Sequence, residues 1–190
     1  MVKRHFDDLP VSEREKLIAS LTKYLGFRQE VDEFLAAHFS EICTRTCYQS
    51  RMSACCSREG IITFFADIVV NLLVSAQTDF DKLLAVLSKP NDGFKCVYLS
   101  EKGCLWHLKP IVCQMYLCDR SKGHVFGQKS KLKSEWKLLE QKRKLFTWPD
   151  RPVLFDDLES YFIKAGFRSP LMYLHNSPGL LRVKQKAKES

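Results

Sequence analysis

The chain has 190 residues, a formal charge of +8 and 8 cysteines. That length suits one domain and is ample to bury an apolar core without covalent staples. Eight cysteines in 190 fall well below the ~8–10% of a secreted disulfide scaffold, and half the chain has none, which argues against a small oxidised framework.

The opening stretch "MVKRHFDDLPVSEREK" has the positive charge of an export signal but neither an apolar run nor a small-residue cleavage site behind it. The expected address is cytoplasmic, where thiols stay reduced unless they bind metal or do redox work. Ser12 and Glu15 then form a capping-box pattern after Pro10, and Leu17, Ile18, Leu21, Tyr24 and Leu25 follow at helical spacing, predicting a first helix. A second is predicted over 29–42, with Val31, Phe34, Leu35, Phe39 and Ile42 on one stripe, delivering the chain to Cys43.

After the cysteine-rich segment 43–56 comes "GIITFFADIVVNLLVSA", residues 60–76, the longest apolar run. It is shorter than the ~20 residues a membrane span needs and contains Asp67 and Asn71, so it reads as a buried core helix with Thr63 as its N-cap, and no membrane partner is expected. Asp67 near its start reads more simply as a capping group than as a functional carboxylate. A further helix is predicted over 79–87, capped by Thr78 and stopped before Pro90. Residues 90–118, punctuated by Pro90, Gly93, Gly103 and Pro110, read as loop plus a short helix started by Pro110. Beyond it, an amphipathic basic helix is predicted over 132–146 and another over 156–165, separated by "PDRP", with "NSPG" introducing a frayed tail. The fold class expected is mainly α. It is a single compact domain over 1–190, with irregular cysteine-rich loops in a metal-binding region 43–118 and a basic helical C-terminal extension 119–190.

The cysteines fall in two sets, Cys43, Cys47, Cys55 and Cys56, then Cys96, Cys104, Cys113 and Cys118 within "CVYLSEKGCLWHLKPIVCQMYLC". Thiolate is the ligand that zinc and iron–sulfur clusters favour, and metal sites bring sulfurs together from short loops. Free thiols and disulfides are the competing uses, and the spacing matches no strict zinc-finger or ferredoxin pattern. Adjacent side chains point apart, so Cys55 and Cys56 serve different centres, or one ligates while the other packs or acts as a resolving thiol. Cys113, near the first turn of the short helix, is where a helix dipole is expected to favour thiolate, with Cys118 reaching the metal from beyond the helix end. All eight are candidate ligands for Zn2+ or an iron–sulfur cluster, in one centre or two.

This arrangement resembles the YkgJ-like, or CxxCxxCC, family of zinc- or iron-chelating proteins. The likeness lies in an upstream cluster ending in Cys55-Cys56, the apolar segment after it, "CVYL" from Cys96, a cysteine after "SEKG", and a basic residue with Pro110 before the last two cysteines. It covers roughly residues 43–118. The chain departs from the family in its longer upstream spacing and in Lys109, where the family has arginine; lysine keeps the charge and loses the bidentate fork. The resemblance implies metal binding by the eight cysteines and supplies no reaction.

The basic excess, crowded into 129–144 and the tail "RVKQKAKES", reads as a footprint for nucleic acid or an acidic partner, or more simply as a solvated face. Eight thiolates around two divalent zinc ions would set eight negative charges against four positive, so part of this excess would balance a metal site. Trp136 and Phe146 read as packing residues on that helix. His107, the one histidine among the cysteines, reads as a packing or surface residue before a ligand, as do His38 and His124. Trp106, Tyr116, Phe94 and Tyr98 would shield a cluster from water or form ordinary core. No phosphate loop, nucleophile elbow or zinc-protease motif is present. The expectation is a metal-binding protein with a structural or electron-transfer role and a redox or protein partner. The alternatives are a metal- or iron–sulfur-dependent oxidoreductase or modifying enzyme, and a metal-stabilised module that binds nucleic acid or protein.

Overall fold

The computed structural model describes residues 2–52, 55–58, 62–127, 129–147 and 153–172. Pro10 separates two short opening helices, α1 (Val2–Asp8) and α2 (Val11–Ser20). Pro10 itself sits at the N-cap of α2 with φ −53°, a value already suited to helix entry, so the helix starts at Val11 and Ser12 lies inside it. The expected capping box is therefore not made. Helix α3 (Thr22–Phe39) follows a single break at Leu21 and runs unbroken through Gly26, burying Tyr24, Phe27, Arg28, Val31 and Phe39. The boundary expected between a first and second helix thus falls earlier than the apolar spacing suggests.

Chain continuity carries α3 directly into a π-helix (Ser40–Tyr48), where backbone amides reach five residues back, as Gln49 does to Thr44 at 2.9 Å. Such wide turns are rare and concentrate at functional sites; this one holds Cys43 and Cys47. Helix α4 (Phe65–Val74) is the expected core helix, burying Phe65, Ala66, Asp67, Val69, Val70 and Asn71. No described helix is long and apolar enough to cross a membrane. Thr63 does not cap it; instead Asp67 Oδ2 accepts the Phe64 amide at 3.0 Å, one turn from the end. Helix α5 (Gln77–Leu87) begins two residues before the predicted start, so Thr78 is inside it, and it ends ahead of Pro90.

The segment 90–118 contains a minimal antiparallel hairpin, β1 (Leu99–Ser100) and β2 (Gly103–Cys104), with Leu99 opposite Cys104. Gly103 has φ 112°, a conformation that side chains other than glycine's rarely adopt. Pro110 then leads into the single-turn helix α6 (Ile111–Gln114), as expected. Helix α7 (Asp119–Phe126), which buries only Ser121 and Val125, shows no apolar stripe that sequence reading would find. Helices α8 (Ser130–Thr147) and α9 (Leu154–Lys164) complete the chain of elements.

One apolar cluster joins these helices, from Phe6 of α1 through Val31, Val69 and Ile111 to Trp136, Phe155, Phe162 and Met172. Helices α8 and α9 are therefore part of the core and not an appendage to it. Phe146 stacks on Phe27 with centroids 5.4 Å apart and planes at 21°, and Trp136 is buried, as its packing role predicts. The outer face of α8 carries the lysines, one of which, Lys142, pairs with Glu30 of α3 at 2.6 Å. The fold is mainly α. The "PDRP" break, residues 149–152, and the tail beyond 172 lie outside the described residues, as does Gly60 at the start of the apolar run.

Candidate metal centre

A run of polar contacts fixes the approach to the last two cysteines. Arg28, 1% exposed on α3, donates through Nη2 to the Lys109 carbonyl at 2.5 Å and through Nη1 to Tyr24 Oη at 2.9 Å. Asn71 of α4 brackets Leu108: its Oδ1 accepts the Leu108 amide at 2.9 Å and its Nδ2 donates to the Leu108 carbonyl. Asp67 Oδ1 accepts the Ile111 amide at 3.1 Å, and Gln114 Nε2 donates to Asp32 Oδ1. This segment, which buries Trp106, Ile111, Met115 and Leu117, is thus also held by side chains from α3 and α4, which satisfy its backbone groups as buried peptide groups require. Burial pushes the Asp67 carboxyl up to about 6, against the opposing pull of the Phe64 and Ile111 amides and the Arg28 charge. Arg28 and Asn71 carry no motif, and only their low tolerance for burial would have singled them out.

The sulfurs reach this region along four routes. Cys43 and Cys47 come from the π-helix, Cys55 and Cys56 from the turn after it, Cys96 and Cys104 from the hairpin region, and Cys113 and Cys118 from either side of the α6–α7 connection. Ser57 and Lys95 form an antiparallel bridge, and the Cys96 amide donates to the Cys56 carbonyl at 3.0 Å, which sets Cys56 directly opposite Cys96. Cys118 is the N-cap residue of α7, and its Sγ donates to Ser121 Oγ at 3.5 Å. All eight thiols are free of disulfides, and all are half-buried except Cys55, which is exposed. Among the described residues, no three His, Cys, Asp or Glu side chains stand ready-made around a point that would hold a metal ion.

The electrostatics of the thiols nevertheless divide them. Cys43 is raised by burial, then by the charges that Cys55, Cys118 and Cys47 carry when ionised, with a hydrogen bond from Ser121 acting the other way. Cys104 is raised by burial and by Cys96 and Cys113, and Cys96 by burial and by Cys113. The adjacent pair splits: Cys55 is raised, first by the hydrogen bond its thiol makes to Cys56, whereas Cys56 is lowered by that same bond. Lys109 lowers Cys55, Cys56, Cys104 and Cys113 alike, so this lysine supplies countercharge to thiolates.

The expectation that a helix start would favour the Cys113 thiolate is corrected. Burial raises Cys113, and the helix it occupies is one turn long. Cys118 is the thiol at a helix start, and it is lowered, first by the Ser121 side chain and then by the Ser121 amide. Of the other residues singled out, His107 and His124 are exposed, and His38 stacks edge-on against Phe34. Trp106 is buried and packs at 84° against Tyr98, while Phe94 and Tyr116 are exposed, so only half of the expected aromatic shield is formed. A groove of about 560 Å3 is lined by Glu41, Ile42, Thr46, Arg120 and His124.

No family model, no curated protein and no solved structure matches the chain. The likeness to the YkgJ-like family therefore rests on the cysteine pattern and its neighbouring residues alone.

Proposed function

We propose that this protein binds metal through its cysteine thiolates, as zinc or an iron–sulfur cluster, in a structural or electron-transfer role. One observation carries the reading: eight free thiols lie on four separate stretches of chain that pack near one another, with Cys56 paired across backbone to Cys96 and Cys43 near enough to Cys55 and Cys118 for their charges to act on it. Thiols dispersed for packing would have no reason to converge, and the two most distant, Cys43 and Cys118, are 75 positions apart in sequence. Residues 90–105 include no buried side chain, and a metal would supply order there, structural zinc being worth ~10–16 kcal/mol in small peptides. Sulfur ligands suit both metals.

The test is elemental and sulfide analysis with visible absorption spectra on protein purified without oxygen or chelators. Brown protein containing iron and sulfide selects the cluster; colourless protein containing zinc selects the structural ion. Metal-free protein with eight freely reactive thiols would defeat the reading.

A further inference from the structure

We propose that the corner between α1, α2 and the α4–α5 junction binds a small carboxylate with a short apolar body. A pocket of about 210 Å3 lies there, walled by Phe6 of α1, Ile18 of α2, Leu72 and Leu73 of α4 and Phe80 of α5. Phe6 is buried and belongs to the core, whereas Ile18 is 45% exposed, so the apolar walls run from the core out to solvent. None of these four helices carries a cysteine, and the site is independent of the metal-binding reading.

Three charged side chains share the lining. Lys3 and Asp7 satisfy each other at 2.6 Å across one turn of α1. Arg14 of α2 is the third, and among the described residues its side chain has neither an ion pair nor a hydrogen bond. Its Nε is shielded from solvent without a partner, so the stem is packed down and the guanidinium is held in place at the pocket. A half-buried cation with an unmatched, shielded donor is costly, and an anion beside it would recover part of that cost. With Lys3 and Asp7 paired, one positive charge is left uncompensated, which one monoanion balances.

The class of ligand follows from this charge and these walls. A guanidinium presents a planar fork that a carboxylate meets with two parallel hydrogen bonds. Apolar surroundings strengthen that pairing, but they penalise a second negative charge, so a monocarboxylate suits the pocket better than a phosphate dianion. Size limits the rest of the molecule. The volume is about seven times the ~30 Å3 that one water occupies in the liquid, and it falls below the ~300–1,000 Å3 of pockets for drug-sized ligands. A short chain or a single ring is the apolar body that fits.

Hexanoate titrated into the full-length protein tests the site, followed by proton–nitrogen correlation NMR of the Arg14 Nε–H and the amides of Ile18, Leu73 and Phe80. Saturable shifts are expected at all four. Acetate, which lacks the apolar body, and hexan-1-ol, which lacks the charge, should each bind about tenfold more weakly or worse. Arg14→Gln should weaken hexanoate by about tenfold or more and leave hexan-1-ol unchanged, which separates a lost contact from a damaged pocket. Equal affinity for hexanoate and hexan-1-ol would reduce the pocket to an apolar crevice and overturn the carboxylate. Hexanoate shifts that do not saturate, or that fall on the α8 lysines instead, would overturn the site itself.

Discussion

Asp67 Oδ1 accepts the Ile111 amide at 3.1 Å, tying the core helix α4 to the turn that carries Cys113, 44 residues further along. Its other oxygen accepts the Phe64 amide at 3.0 Å, so one carboxyl group both starts α4 and docks a cysteine segment on it. Asp67→Ala leaves both amides without a partner. At ~1–3 kcal/mol for each unsatisfied buried group, a loss of about 3 kcal/mol is expected in urea unfolding. A loss under about 1 kcal/mol would mean that the dock is made by packing alone.

The same carboxyl makes stability depend on pH. Its folded value of about 6 lies above the ordinary carboxyl value of 3.8, so the folded state binds the proton more tightly than the unfolded one. Asp67 therefore costs nothing below pH ~4, and stability falls as pH rises toward 6, by roughly 3 kcal/mol at ~1.4 kcal/mol per pH unit. Asp67→Asn cannot titrate. With both proteins metal-free and reduced, the parent should lose stability relative to the variant between pH 4 and 6.5; parallel curves would contradict the assignment.

Arg28 spans from Tyr24 to the Lys109 carbonyl with two separate nitrogens, a reach that one ammonium does not reproduce. Arg28→Lys is expected to cost about 2 kcal/mol, in the range for hydrogen bonds to charged groups. Hydrogen exchange at the Leu108 and Ile111 amides should quicken while that of α9 does not. Unchanged protection at those two amides would remove Arg28 from the clamp.

Ionisation should order the reactivity of the thiols. In metal-free, reduced protein near neutral pH, Cys118, held low by Ser121, should alkylate faster than Cys113, which burial raises. Ser121→Ala should slow Cys118 selectively. Mass-spectrometric mapping of iodoacetamide labelling over time gives the order, and equal rates for the two would reject it.

Under the metal-binding proposal, chelation separates what metal holds from what the core holds: it should quicken exchange at the Cys96, Leu99 and Leu105 amides, whose partners lie within the cysteine segments. The Leu108 and Ile111 amides, bound to Asn71 and Asp67 of α4, should stay protected. If the whole of residues 96–114 opened together, the polar clamp would have no independent strength.

Local pattern alone was enough to identify a mainly helical chain, a buried helix within 60–76, a basic helix over 132–146 and a cysteine-bearing segment of irregular backbone. Apolar spacing and proline or glycine breaks act between near neighbours, so they leave their mark in a short window of residues. The spacing of Cys113 from Pro110 was legible too, but the thiol at a helix start proved to be Cys118, because α7 begins there without an apolar stripe to announce it. The π-helix, the capture of residues 108–111 by Arg28, Asp67 and Asn71, and the alignment of Cys56 with Cys96 belong to the tertiary structure. The last two join groups far apart in the chain, and a buried polar group or a thiol acquires such a partner only when the core has brought distant backbone within hydrogen-bonding reach.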